Sequence, residues 1–158
     1  MFYKLSEEVE VKTSISEAWE AYSTLKLAMI TQSELGHLFG VEILEGDGGV
    51  GIVIQVTPHP GVSKIPTYKE KFTNIDHEKR VKVVDLIEGG HLELGFTSYR
   101  IIGEFFENQK EDLCILRITV EYEASEDVVA NADASVVTLE WIMNIFKVAN
   151  QYMAKNQN

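Results

Sequence analysis

The chain has 158 residues, 45% of them hydrophobic, and a formal net charge of -11 at pH 7. That apolar content is enough for one substantial core, so we predict a single domain over residues 1–158. The acidic excess argues against nucleic acid or an anionic membrane surface as a partner, because both attract Lys and Arg. Cys114 is the sole cysteine, which excludes an intrachain disulfide and fits a reducing compartment.

The N-terminal part predicts one strand followed by two short helices. Apolar and polar residues alternate between residues 5 and 11, as in a strand with one apolar face. Ser14 and Glu17 have the spacing of a capping box, in which the hydroxyl and the carboxylate satisfy early helical amides. A helix is expected to begin there, and a second helix over 25–38 to end near Gly36. No signal peptide or membrane span is expected, which favours a cytoplasmic protein.

Residues 45–51 contain glycines in the spacing G-x-G-x-x-G, which is typical of nucleotide-binding loops. That function requires a strand before the loop and a helix N-terminus after it. Here β-branched residues stand on both sides, over 41–44 and 52–56, and Glu45 and Asp47 would repel a phosphate. We therefore interpret the loop as a turn between two antiparallel strands.

Further strand-like segments predict an antiparallel meander. They cover residues 52–57, 67–74, 80–87, 91–106 and 113–124, with polar or glycine-bearing turns at 76–79, 88–90 and 108–112. The last segment alternates most cleanly, as expected for a sheet with one wet face, and Cys114 falls on its apolar side as inert packing. The stretch 58–66 contains all three prolines, so it predicts a loop.

The C-terminal part changes its apolar period from two to about 3.6 between residues 129 and 153. This spacing predicts one long helix. Its apolar face is too wide to be left in water, so we expect it to lie against the concave face of the sheet.

Three polar side chains fall on the predicted apolar faces of neighbouring strands. Period two places Tyr68 and Glu70 on one face with Phe72, and Lys82 on one face of the next strand with Val84. The hairpin between the strands would then bring a phenol, a carboxylate and an ammonium into one cavity. The alternative is an ordinary ion pair between Glu70 and Lys82 at the sheet surface, which the pattern alone favours.

The other polar residues predict no metal site and no acyl transfer. The four histidines lack the H-x-x-x-H or H-x-H spacing of metal ligands, and no serine lies in a nucleophile elbow. His59 is interpreted as a solvated loop residue and His77 as a turn residue. Trp19 and Trp141 are interpreted as core side chains.

Three motifs in the same order make the chain similar to a plant family. Residues 45–51, 68–72 and 87–90 resemble the pathogenesis-related class-ten family typified by the birch pollen allergen. Within it, the alkaloid-forming branch of norcoclaurine and norbelladine synthases is the most similar, with norbelladine synthase the nearer of the two. That finer likeness lies in residues 22–25, 75–80, 89–92 and 94–96.

The resemblance implies an α+β fold in which a seven-stranded curved antiparallel sheet wraps around a long C-terminal helix. Two short helices and an internal cavity complete this expected architecture, and the loop at 58–66 would lie at the cavity mouth. We expect a monomer or a weak homodimer.

The resemblance also implies that Tyr68, Glu70 and Lys82 are catalytic. In norcoclaurine synthase the corresponding residues work with an aspartate, whose expected position is held here by Ile101, and norbelladine synthase is similar in lacking that carboxylate. The residues expected to bind the ligand are Phe72, Val84, Tyr99, Ile101, Ile142 and Phe146.

The implied function is the condensation of a phenethylamine, tyramine or dopamine, with an aromatic aldehyde through a carbinolamine to an imine. It needs no cofactor, and a Pictet-Spengler cyclisation could follow. Glu70 would take the amine proton, whereas Lys82 would act either as a general acid or as a Schiff-base nucleophile. The alternative is a non-catalytic carrier of cytokinins, flavonoids or sterols. A ribonuclease, suggested for relatives, fits the acidic surface least.

Overall fold

The structure, a computed structural model, describes residues 1–47, 49–110 and 112–156. Within these residues it confirms the predicted α+β fold: one seven-stranded antiparallel sheet, two short helices near the N-terminus and a long helix at the C-terminus. Gly48 of the predicted glycine turn and Glu111 of the predicted turn at 108–112 lie outside the described residues.

The strands follow the predicted alternation of apolar and polar residues. They are β1 (Phe2–Val11), β2 (Phe39–Glu45), β3 (Val53–Pro58), β4 (Tyr68–Asp76), β5 (Val81–Gly89), β6 (Ser98–Glu107) and β7 (Cys114–Glu123). Their order across the sheet is β1-β7-β6-β5-β4-β3-β2, so the first and last strands of the chain are neighbours. In β7, Cys114, Leu116 and Ile118 are buried, while Arg117 between them bonds Glu8 on the outer face.

The glycine-rich segment joins two strands, as predicted. β2 and β3 pair in antiparallel register, from Phe39 opposite Pro58 to Glu45 opposite Val53. Because a strand and not a helix follows the loop, the loop lacks the helix N-terminus that a phosphate-binding motif requires.

The predicted strand over 91–106 is wrong in its first part. Gly90–Leu94 forms a short 3₁₀ helix, and β6 begins only at Ser98. Gly89 turns the chain here with a φ of 72°, and a Cβ on it would lie 2.1 Å from the Thr67 carbonyl oxygen. Only glycine fits this conformation and this close approach. The turn directs His91 into the interior, where it is 1% exposed.

The predicted single helix over 129–153 is also wrong. The chain forms three helices there: α3 (Glu126–Asn131), α4 (Ala134–Val137) and α5 (Glu140–Lys155), after α1 (Ile15–Ser23) and α2 (Lys26–Leu35). The side chains of Ser125 and Asp133 accept hydrogen bonds from backbone amides two or three residues later and so start new helices. The backbone is extended at Ala132, where α3 ends, and at Thr138, where α4 ends.

The long helix α5 buries one stripe of its predicted apolar face. That stripe, which includes Ile142, Phe146 and Ala149, faces the interior together with Met143 and Asn150. The helix also packs against α2. None of the described helices is long and apolar enough to cross a membrane.

The two N-terminal helices close one end of the sheet. The Ser14 hydroxyl accepts a hydrogen bond from the Glu17 amide, as the capping box predicts. The Glu17 carboxylate accepts a bond from the Thr13 hydroxyl at 2.7 Å, in place of the predicted backbone amide. Trp19 Nε1 then donates to His77 Nδ1 at 3.0 Å, which fixes α1 to the hairpin between β4 and β5.

We expect Gly89→Ala to lower the free energy of unfolding by about 2 kcal/mol or more, since it adds a strained left-handed alanine and a backbone clash. Gly49→Ala is the matched control, because a Cβ there meets nothing within 4 Å. Urea unfolding of both variants measures the difference. Equal losses in the two variants would contradict this explanation of the turn.

Candidate active site

A cavity of about 110 Å³ lies between the concave face of the sheet and α5. Most of its walls are apolar, and they come from strands β2 to β7, from α1 and α2, and from α5. Five of the predicted ligand-binding residues line it: Phe72, Val84, Ile101, Ile142 and Phe146. Their contact with a ligand stays a prediction.

Tyr99, also predicted to contact the ligand, does not line this cavity among the described residues. It is 2% exposed and stacks on the His91 ring, with 3.8 Å between centroids. Its hydroxyl accepts a hydrogen bond from Trp141 Nε1 at 3.3 Å. Since Trp141 does line the cavity, Tyr99 lies behind the wall and supports it. Strand alternation predicts which face Tyr99 is on, but not that Trp141 covers it.

Tyr68 lies in the cavity wall at the start of β4. Its ring makes an edge contact with Trp141, with 5.9 Å between centroids. Burial raises the pKa of the Tyr68 phenol well above its usual value, and the nearby charges of Glu70 and Tyr99 raise it further. The phenol therefore stays protonated, so it is a hydrogen-bond donor and not a base near neutral pH.

Glu70 lines the same cavity two residues further along β4, opposite Ile54 of β3 and Leu86 of β5. Burial disfavours its carboxylate and raises its pKa to about 7, although the positive charge of Lys82 opposes the shift. A carboxyl group in this range can take up and release a proton near neutral pH.

Lys82 extends into the cavity from β5 and is 9% exposed. Its ammonium donates a hydrogen bond to the Tyr22 carbonyl oxygen at 2.8 Å and lies 3.7 Å from the centroid of the Phe72 ring. Tyr22 belongs to the last turn of α1, where carbonyl groups lack helical partners and attract cations. Burial lowers the pKa of Lys82 to about 8, against the effect of Glu70.

The surface ion pair that the pattern alone favoured is wrong. Among the described residues, ion pairs on these strands join exposed side chains, as between Lys69 and Glu88 at 2.7 Å. Glu70 and Lys82 instead share the cavity and influence each other's charge, although no ion pair joins them in the described part of the chain. The largely apolar cavity therefore holds one carboxyl group, Glu70, and one amino group, Lys82, whose charged forms have opposite signs.

Strand register gives the order of these groups along the cavity. Tyr68 pairs with Gly89, Glu70 with Leu86, and Lys82 with Ile75 near the other end of the hairpin. At about 3.3 Å per residue, Tyr68 and Lys82 therefore start from opposite ends of the cavity.

Sequence reasoning missed two residues of the site, Tyr22 and Trp141. Both line the cavity, and the Tyr22 hydroxyl donates a short hydrogen bond to Asn150 Oδ1 in α5. Each lies in a predicted amphipathic helix, where an aromatic residue is more often core. No local pattern in the sequence distinguishes them.

The buried His91 is not part of the cavity. Its Nε2 donates to the Val136 carbonyl at 2.9 Å, because a carbonyl oxygen can only accept, and so joins the 3₁₀ helix to α4. Burial lowers its pKa to about 4, which keeps the ring neutral. Among the described residues, no group of three His, Cys, Asp or Glu side chains could hold a metal ion.

Comparison with known proteins places the sequence in a family. The sequence model described as "Pathogenesis-related protein Bet v 1 family" matches residues 1–156. Norbelladine synthase of Narcissus pseudonarcissus is 39% identical over 155 residues, or 98% of this chain and 93% of that protein. S-norcoclaurine synthase 2 of Papaver somniferum is 35% identical over 95% of this chain and 64% of its own length.

Solved structures agree with the fold. Norcoclaurine synthase from Thalictrum flavum in complex with dopamine and hydroxybenzaldehyde matches with a TM-score of 0.87 and 30% identity, over 100% of this chain and 90% of that one. Ara h 8.0201 has a TM-score of 0.77 at 18% identity, which shows the shared fold alone.

We expect Glu70→Gln to raise the melting temperature at pH 8, because it removes a carboxylate whose charge the cavity disfavours. The pKa of Glu70 is higher in the folded chain than in the unfolded chain. The free energy of unfolding therefore decreases as pH rises from the unfolded-state pKa of Glu70 to its folded-state pKa of about 7. The gain from the amide should therefore shrink toward pH 5, where folded Glu70 is neutral. Glu42→Gln, at an exposed position of β2, is the control and should show no such pH dependence. A gain that is larger at pH 5 than at pH 8 would refute the assigned direction.

Proposed function

Since this chain belongs to the pathogenesis-related protein Bet v 1 family, we propose that it condenses a phenethylamine, tyramine or dopamine, with an aromatic aldehyde to give an imine. The observation that carries the proposal is the position of half-buried Glu70 and buried Lys82 in the lining of one largely apolar cavity, with their pKa values moved toward neutrality from opposite sides. The names of the similar synthases, and the dopamine and hydroxybenzaldehyde bound by one of them, support the substrate class.

Glu70 acts first as a general base. An amine carries a proton at neutral pH and cannot attack a carbonyl carbon until it loses that proton. A carboxylate with a pKa of about 7 is well matched to accept it and then hold it.

Lys82 acts as the general acid. Its ammonium gives a proton to the aldehyde oxygen as the amine nitrogen bonds to the carbonyl carbon, which forms the carbinolamine. The nitrogen then returns a proton to the neutral lysine, which restores the ammonium. This ammonium protonates the carbinolamine hydroxyl, which leaves as water, and the remaining N–H proton of the iminium passes back to Lys82 to leave the imine. The Tyr22 carbonyl and the Phe72 ring both stabilise the charged form of Lys82, which favours the acid role over that of a Schiff-base nucleophile.

Tyr68 and the apolar walls complete the mechanism. The protonated phenol of Tyr68 donates a hydrogen bond that orients a substrate hydroxyl or carbonyl. The apolar walls exclude bulk water, which would hydrolyse the imine, and hold two reactants as an effectively unimolecular pair. The reaction transfers protons and releases water, and these side chains supply every proton transfer it needs.

The apolar lining also favours a second function, a carrier of small hydrophobic plant molecules such as cytokinins, flavonoids or sterols. A carrier does not need Glu70 or Lys82, however, and burying either charge is costly without a chemical use.

Incubation of the protein with dopamine or tyramine and hydroxybenzaldehyde, followed by borohydride reduction of the imine, tests the proposal. We expect Lys82→Met to lower the condensation rate by about 10²–10⁴-fold, the usual contribution of a general acid, while aromatic ligands still bind. Lys71→Met removes an exposed lysine of β4 and is the matched control. Aromatic binding without condensation above the uncatalysed rate would instead identify a carrier.

The pH dependence of the same rate checks the two roles. With Glu70 as base and Lys82 as acid, the rate should rise as pH passes about 7 and fall as it passes about 8. Because Glu70 and Lys82 interact, the two limbs of the pH profile report apparent pKa values of the pair and not of either residue alone. Loss of the upper limb in Lys82→Met would support its assignment, whereas an unchanged upper limb would remove it.

Ile101→Asp tests whether a carboxylate at this position of the cavity directs cyclisation. Ile101 lies opposite Val84 and Val120 and lines the cavity, so the new carboxylate would face the substrates. We expect a larger share of ring-closed product from dopamine, measured by chromatography, and Ile101→Asn as the uncharged control. An unchanged ratio of ring-closed product to imine in a folded variant would show that residue 101 does not decide whether cyclisation follows condensation.

A further inference from the structure

A second cavity of about 830 Å³ lies next to the first and opens toward the surface. It is formed by the end of α2, the loop between β3 and β4, and the outer side of α5. Four residues line both cavities: Phe39, Tyr68, Trp141 and Ile145. They form the wall between an inner cavity, which holds Glu70 and Lys82, and an outer one.

The inner cavity is too small for two aromatic substrates. It measures about 110 Å³. A cavity of about 150 Å³ is known to bind a single benzene molecule. With the wall in place, the inner cavity therefore accommodates one substituted ring at most. A reaction between two aromatic molecules needs a position for the second ring on the other side of the wall.

Trp141 is the largest side chain of the wall, and ring contacts with Tyr68, His91 and Tyr99 position it. Its indole nitrogen donates to the Tyr99 hydroxyl at 3.3 Å, which exceeds the usual N–H···O distance of about 2.9–3.0 Å. It lies in the first turn of α5, where the Thr138 hydroxyl accepts a hydrogen bond from the Glu140 amide at 3.4 Å. Its ring meets Tyr68 only edge-on.

The outer cavity has a mixed lining that suits a ring carrying hydroxyl groups. Apolar side chains such as Leu35 and Ile65 lie beside polar ones such as Ser63 and Asn144. Its four charged residues, Lys64, Lys147, Asp133 and Glu140, balance formally, so neither anions nor cations are favoured by net charge.

We propose that the outer cavity is a second subsite for a hydroxylated aromatic ring, and that Trp141 sets the size of the molecule that reaches Glu70 and Lys82. The identity of the ring as amine or aldehyde rests on the proposed function. The size limit does not, because it applies to any neutral aromatic ligand. Tyr68 lines both subsites, so it lies where the two rings would meet.

Calorimetric titration with phenol and with 2-naphthol tests the partition without any catalysis. We expect two phenol molecules per chain, one in each cavity, but only one molecule of the larger 2-naphthol, because the inner cavity is too small for it. Trp141→Ala should join the cavities and raise the affinity for 2-naphthol relative to phenol by about tenfold, since pocket size discriminates ligands by this order. Val148→Ala enlarges only the outer cavity and is the matched control.

A single phenol site per chain, or an unchanged affinity ratio in Trp141→Ala, would overturn the inference. Tyr99→Phe is the second variant if Trp141→Ala does not fold, because it removes only the hydroxyl that holds the indole. Tyr99→Phe should raise the affinity for 2-naphthol relative to phenol by a smaller factor. An unchanged affinity ratio in this variant would contradict the role of Trp141 in separating the cavities. An equal effect of Val148→Ala would also refute the role of Trp141.

Condensation assays separate this inference from the proposed function. If the chain condenses amine and aldehyde, Trp141→Ala should raise the rate with naphthaldehyde relative to benzaldehyde. Condensation with an unchanged ratio would overturn the size limit alone. No condensation, together with the expected change in 2-naphthol binding, would overturn the proposed function and leave the two subsites standing.

Discussion

The hydrogen bond from Lys82 to the Tyr22 carbonyl is the interaction on which the site depends. An ammonium in an apolar cavity is costly unless a partner replaces its water, and the end of α1 supplies that partner. The carbonyl reaches Lys82 only if α1 begins at its Ser14 cap and is fixed to the sheet by Trp19. A local capping pattern near the N-terminus thus decides whether a charge far along the chain can be buried.

Buried Lys82 and half-buried Glu70 in one cavity are suited to proton transfer near neutral pH, but their desolvation lowers the stability of the fold. Each charge stabilises the other, yet burial outweighs this attraction at both residues, so each favours its neutral form more than it would in water. The same desolvation that moves both groups toward neutral pH therefore weakens the fold there. The aromatic side chains around them, Phe72 and Tyr22 among them, give the surrounding packing that holds the arrangement.

The strands, and which residues of β4 and β5 share a face, could be predicted from the period-two pattern, because alternation is a local property. The pattern alone nevertheless favoured the surface for Glu70 and Lys82, since it does not show that α5 and the sheet enclose a cavity there. The breaks in the C-terminal helix could not be predicted from its apolar period, which continues across the cap at Asp133. The turn at Gly89 depends on a close approach to Thr67, a contact between strands. The position of Tyr99 behind Trp141 depends on how α5 lies over the sheet, and neither sequence segment alone contains that information.

The reactivity of the Cys114 thiol reports on local opening of the sheet. It is fully buried in β7 between β1 and β6, and burial raises the pKa of its thiol to about 11. A protonated, enclosed thiol does not react with alkylating reagents, so modification proceeds only from molecules in which a neighbouring strand has detached. Because the chain has no other cysteine, the rate of thiol trapping reports on opening around Cys114 alone.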